Sequence, residues 1–280
     1  MRFAICNELF QGWELPRMMS HCAELGYHAV EIAPFTLADS VEQITPDERR
    51  AIRRQAREAG VEIAGLHWLL VKPDGLHLTT PDAEVRRRTA QYLVALAHFC
   101  ADIGGKVLVL GSPKQRSVPP GISYEQAWDW ARETLRPAVK AAEELGVTWC
   151  IEPLSPAETN FLNRAEDAIR FAQSLDSPAA RIILDIKAMS SEGKPIPQII
   201  RESAGWFAHF HANDPNRKGP GMGDVDIVPI LRTLQEVGYD GYVSVEVFDY
   251  SDGAETIAAV SLQNLQRALG VATLGSMTSD

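Results

Sequence analysis

The chain has 280 residues, 45% of them hydrophobic, and carries 27 basic against 37 acidic side chains for a net charge of −10. That acid excess disfavours a nucleic-acid partner, because such affinity comes largely from neutralised phosphates. The opening MRFAICNELF lacks a secretory pattern and no run of about 18 apolar residues occurs, so a cytoplasmic protein with no membrane partner is expected.

In chain order, the first apolar run is RFAICN, residues 2–7. A rhythm then recurs in which a helical segment ends in Gly and an apolar strand follows at once. It is seen in ELGYHAVEIAP from Glu24, EAGVEIAGLHW from Glu58, DIGGKVLVLGS from Asp102, ELGVTWCIEPL from Glu144 and EVGYDGYVSVEVF from Glu236. The glycines read as helix C-caps, where the chain leaves through a left-handed residue. The strands are short, β-branched and almost continuously apolar, as parallel strands buried on both faces are. RIILDIK and WFAHFHAN complete a set of eight strands, each followed by a segment able to hold a helix. Strict alternation of eight β-α units predicts an α/β fold, a (β/α)₈ TIM barrel in a single domain over residues 1–270, with residues 271–280 as a disordered tail. Cys6, Cys22, Cys100 and Cys150 form no C-x-x-C pair and read as reduced, buried thiols.

Active groups of such barrels sit at the C-terminal ends of the strands. Strand 5 ends with Glu152, strand 6 with Asp185, strand 7 with His211 and strand 8 with Glu246. The spacings of 33, 26 and 35 residues are about one β-α unit each, so adjacent strands deliver four ligand-type side chains to one ring. Unrelated polar strand ends are the competing explanation, and four in succession weaken it. Three carboxylates and one imidazole suit a hard divalent cation such as Mn²⁺, Mg²⁺ or Co²⁺ better than structural zinc. His209 shares the inward parity of His211 and is expected to lie beneath it. Glu31 at the end of strand 2 is expected in a salt bridge inside the barrel mouth.

These residues resemble the xylose-isomerase-like sugar isomerase/epimerase superfamily, and most of all its ketose 3-epimerase branch, the tagatose and allulose 3-epimerases. The resemblance rests on IEP at Glu152, LDI at Asp185, HFHANDPNRKGPGMGDVD around His211 and SVEVF at Glu246. It implies that Glu152, Asp185, His211 and Glu246 bind one metal ion and that Glu152 and Glu246 also move protons. It further implies that Glu158 and Arg217 contact substrate. The branch carries a His three residues past the strand 6 Asp, whereas this chain has Ala188, with Lys187 beside it as a candidate replacement cation. His67 and Trp68 at the end of strand 3 could line the sugar wall or pack in the core.

The expected function is therefore a metal-dependent isomerase or epimerase of a ketose or keto-sugar, working by proton abstraction α to a carbonyl through an enediolate. The alternative on the same scaffold is a lyase that eliminates the aglycone of a 3-keto-glycoside. A small-molecule sugar is the expected partner, and a homo-oligomer is compatible with the scaffold without being specified. Multi-zinc endonucleases share the barrel but need extra histidines where this chain has Ser112 and Ala188. A non-catalytic binding module is the remaining class.

Overall fold

The computed structural model describes residues 1–277. Its strands are β1 (Arg2–Cys6), β2 (Ala29–Ile32), β3 (Glu62–Leu66), β4 (Val107–Leu110), β5 (Thr148–Ile151), β6 (Ala180–Asp185), β7 (Phe207–Ala212) and β8 (Tyr242–Val245). They close into one barrel in chain order, all neighbours parallel, with β1 pairing β8. The (β/α)₈ architecture is thus the one expected from the strand count.

The helices are α1 (Leu15–Leu25), α2 (Pro46–Ala59), α3 (Ala83–Ile103), α4 (Tyr124–Leu145), α5 (Ala165–Ser174), the single turn α6 (Ile186–Met189), α7 (Ile196–Glu202), α8 (Ile227–Glu236) and α9 (Ala254–Met277). Four of the five expected glycine caps hold: Gly26, Gly60, Gly104 and Gly146 take φ of +101°, +82°, +93° and +67° at the helix ends. At the fifth, Val237 caps α8 and Gly238 turns left-handed one residue later. The tail expected to be disordered from residue 271 is helical as far as Met277, and residues 278–280 lie outside the described part. The apolar stripe of α9 carries it: Leu265, Ala268 and Ala272 are all buried, so the helix keeps its packed face past residue 270.

Inside the barrel the lowest layer is small, with Ala4, Ala29 and Ala64 packed around Tyr242. Polarity rises toward the C-terminal ends of the strands. Cys6 Sγ lies 3.8 Å from Glu31 Oε2 and 3.7 Å from Ser244 Oγ, and the charged groups follow above. All four cysteines are buried and unpaired, as expected. No described helix is long and apolar enough to cross a membrane.

Candidate active site

Glu152 is the first residue past β5, Asp185 the last of β6, His211 the last but one of β7, and Glu246 the first past β8. Asp185 lies opposite His211 in the ladder, after a register shift at Ile182/Ile183, and His211 lies opposite Ser244. One ligand atom from each of the four residues falls within 4.8 Å of the others, and all four residues are buried. Gly111 makes room for this cluster, since a Cβ there would stand 2.1 Å from Glu152 Oε2.

The electrostatics are those of a ring short of positive charge. Burial and the neighbouring Glu246 push the Glu152 carboxyl up to about 8. Asp185 is raised for the same two reasons. Burial would raise Glu246 too, but the charge of His211 beside it outweighs that and holds its carboxyl below the usual value. His211 is raised well above an ordinary imidazole, because Glu246 and Glu31 outweigh its burial. Without a cation, the two carboxyl groups are therefore pushed apart in acidity.

A second ring orients the first. Glu31 is fully buried at the end of β2, where β2 and β3 shift register between Val30 and Glu31. Its Oε2 is 2.8 Å from His209 Nε2, and its two oxygens lie 3.2 and 3.3 Å from His211 Nε2. His209 thus lies beneath His211 and shares its carboxylate partner. With Nε2 committed to Glu31, His211 Nδ1 points the other way. It stands 3.0 Å from Glu246 Oε2 and 3.9 Å from Glu152 Oε1, yet makes no well-formed hydrogen bond. Asn213 ties β7 to β6, donating Nδ2 to Asp185 Oδ2 at 2.6 Å while its Oδ1 accepts the Lys187 N–H at 2.9 Å.

The donor set fits a divalent cation. A buried imidazole nitrogen without a hydrogen bond faces three carboxylates, and its other nitrogen is held by a carboxylate, the usual support of a metal-binding histidine. Oxygen-rich donors with a single imidazole suit Mn²⁺-type ions.

The five candidate substrate residues are not all brought together. His67, Trp68 and Glu158 line a small chamber of about 40 Å³ that also touches Glu152 and Glu246. His67 is buried, with Nε2 2.6 Å from Glu8 Oε2. Lys187 joins Glu158 through a 2.7 Å ion pair, and its Nζ lies 4.9 Å from the ring centre of Phe248. Arg217 is exposed at the rim, at φ +74°, with its guanidinium donating to the Phe248 carbonyl at 3.2 Å. The basic loop is pinned rather than free. Lys218 pairs with Asp252 at 2.6 Å, and Gly223 lets Asp214 brace the loop, since a Cβ there would meet Asp214 Oδ1 at 2.1 Å. At Ala188, where the ketose 3-epimerase pattern has a histidine, the backbone N–H caps Asp185 Oδ1 at 2.7 Å.

Sequence reasoning missed Glu8, Asn213 and Arg116. The strand-end rule that found Glu31 would also have found Glu8, two residues past β1. Asn213 continues the inward parity of His209 and His211. Arg116 gave no signal, being one base among Lys114, Gln115 and Ser117 in a polar loop. It is nevertheless buried at 1% exposure, donates Nη1 to the Leu110 carbonyl at 3.2 Å, and leaves Nε and Nη2 unpaired. Burial lowers its guanidinium to about 10, against the pull of Glu152 and Glu158.

Residues 19–268 match the family described as xylose isomerase-like TIM barrel. The chain belongs to that family. It is 27% identical over 238 residues to a D-psicose 3-epimerase of Agrobacterium fabrum, covering 82% of this chain and 78% of that protein. A putative hydroxypyruvate isomerase of Streptomyces coelicolor is 30% identical over 250 residues, covering 85% of this chain and 87% of the other. The match to a D-psicose 3-epimerase of Ruminiclostridium cellulolyticum, 29% identical over 178 residues, is shorter and spans only 59% of that protein. Among solved structures, a D-psicose 3-epimerase determined in the presence of D-fructose superposes with a TM-score of 0.84 at 20% identity, covering 96% of this chain and all of the other. A 3-keto-D-glucoside 4-epimerase from E. coli gives 0.83 at 20% identity over 95% of this chain and 99% of the other. At that identity the two structures speak for the fold alone.

Proposed function

We propose that this protein is a divalent-metal-dependent epimerase or isomerase of a ketose or keto-sugar. One observation carries the reading. Three carboxylates and Nδ1 of His211 converge at four adjacent strand ends, one ligand atom from each within 4.8 Å of the others. The names of the relatives, a D-psicose 3-epimerase and a putative hydroxypyruvate isomerase, support the same class.

Glu152, Asp185, His211 and Glu246 would hold the cation, Mn²⁺ in first place with Mg²⁺ or Co²⁺ as alternatives. Bound there, it supplies Lewis-acid stabilisation of the negative charge that develops when a proton leaves the carbon α to the carbonyl. Glu246, the stronger acid of the pair, stands ionised and takes that proton. Glu152, the other glutamate of the cluster, would return a proton once the first has left. Glu31 keeps His211 in one tautomer, and Asn213 keeps Asp185 in place. Lys187 and Glu158 form a charged pair at the chamber edge that can hydrogen-bond sugar hydroxyls, with His67 and Trp68 as the facing wall. Arg217 would reach the substrate from the rim after leaving the Phe248 carbonyl.

The test is proton NMR in D₂O of the Mn²⁺-supplemented protein with free ketoses and 3-keto-glucosides. Deuterium entering the α-carbon with a new epimer or isomer is the expected result, and Glu246→Gln should abolish it. Exchange accompanied by aglycone release would instead select the lyase. Metal-loaded protein that exchanges no proton in any of these sugars would refute the proposal.

A further inference from the structure

The cluster opens on a chamber of about 40 Å³, room for little more than a water molecule at ~30 Å³ each. Beside it, over the ends of β1, β2 and β3, lies a cleft of about 640 Å³. Trp68 borders both spaces, and Glu8 in the cleft is bonded to His67 in the chamber. The cleft is walled by Phe10, Trp13, Phe35, Trp68 and Tyr250. Phe10 and Trp13 meet edge to face at 5.5 Å, and Phe35 is 37% exposed, among the few large apolar side chains left open to solvent in the described residues. Trp68 holds a left-handed φ of +53°, uncommon for a large residue, and its buried Nε1 makes no hydrogen bond.

From these features we infer that the cleft is a binding site for a neutral aromatic or apolar group joined through a glycosidic bond to the keto-sugar whose reacting carbon enters the chamber. The inference deepens the keto-sugar reading and rests on it. The volume falls within the ~300–1,000 Å³ of sites that enclose drug-sized ligands. Aromatic walls bind apolar and ring-shaped groups through area and edge-to-face contact. Among the described residues no lysine or arginine lines the cleft, whereas Glu8 and Glu14 do, so a sugar phosphate is disfavoured there. Trp68, which borders both spaces, stands where the sugar and its substituent would meet.

The experiment is calorimetric titration of the protein with Mn²⁺ present, using three unreactive probes: phenyl β-D-glucoside, methyl β-D-glucoside and methyl β-D-glucoside 6-phosphate. Phenyl glucoside should bind at least about tenfold more tightly than methyl glucoside, the worth of burying one ring. Phe35→Ala and Trp13→Ala should each cut that ratio severalfold. The exposure of Phe35 makes its variant safe for folding, which circular dichroism would confirm. Equal affinity for the two glucosides, a ratio that survives both substitutions, or tighter binding of the phosphate would overturn the inference. Because none of the probes reacts, the result is independent of catalysis. A phenyl preference without proton exchange in D₂O would retain the cleft and refute the proposed activity, and exchange without a phenyl preference would do the reverse.

Discussion

Replacing Glu31 by Gln tests whether the buried layer under the cluster sets its chemistry. Glu31 is fully buried, 2.8 Å from His209 and 3.2–3.3 Å from His211, and these histidines hold its carboxyl well below the usual value against its burial. The amide preserves the shape but removes the charge, and it turns an N–H₂ toward one of the two histidines. His211 then loses its reason to carry a proton on Nε2, so its Nδ1 is no longer reliably free. Such an orienting carboxylate is worth about 10- to 100-fold in metal affinity, or about 1.4–2.7 kcal/mol. Mn²⁺ titration by calorimetry into chelator-treated wild type and Glu31→Gln at pH 7.5 should show a loss in that range, with far-UV circular dichroism unchanged. A folded variant that binds Mn²⁺ within twofold of wild type would refute the reasoning. His211 would then be oriented by packing alone.

Three other outcomes are expected. Cation-free protein should lose stability as pH rises, because Glu152 is raised when folded: its contribution is present below its ordinary 4.5 and is lost as pH climbs through about 8. His211, also raised, acts in the same direction, while the lowered Glu31 and Glu246 weigh only at acid pH. The rise of Glu152 from 4.5 to about 8 sets a ceiling of about 5 kcal/mol. Thermal melts from pH 5 to 9 should show the decline, Mn²⁺ should abolish it, and a flat profile without cation would count against the cluster. Gly111→Ala should lower kcat by about 100-fold with little change in the melting temperature, because its Cβ would stand 2.1 Å from Glu152 Oε2 and displace that carboxylate. Unaltered kcat would mean that the Glu152 position is not critical. Lys187→Met should raise KM about tenfold, the worth of a charged hydrogen bond, with kcat largely retained, because its Nζ holds Glu158 at 2.7 Å. A fall in kcat alone would place Lys187 in the chemistry instead.

What is legible in the chain follows from where physics writes periodically. Apolar runs cut by Gly at left-handed helix ends announce parallel strands, and Gly26, Gly60, Gly104 and Gly146 sit at those ends with positive φ. A charge placed at the end of each of four successive buried strands is equally periodic, which is why Glu152, Asp185, His211 and Glu246 stand out together in the amino-acid sequence. Contacts across the barrel have no such signature. Glu31 meets His209 from 178 residues away, and nothing local to either residue records the pairing. Loops are less legible still. Arg217 lies in the segment that most suggests a ligand, yet its side chain rests on the Phe248 carbonyl, while Arg116, in a loop without a motif, is buried facing the charges of Glu152 and Glu158. A loop base becomes informative only when folding removes its water, because an unpaired buried guanidinium is costly wherever it occurs. The same reasoning separates the two halves of the mouth. The half over β5–β8 carries charge that the strand pattern foretells. The half over β1–β3 carries aromatic side chains from loops, and their meaning depends on the space they enclose. The strand-end cluster is therefore readable from sequence, and the aromatic cleft beside it is readable only from the folded molecule.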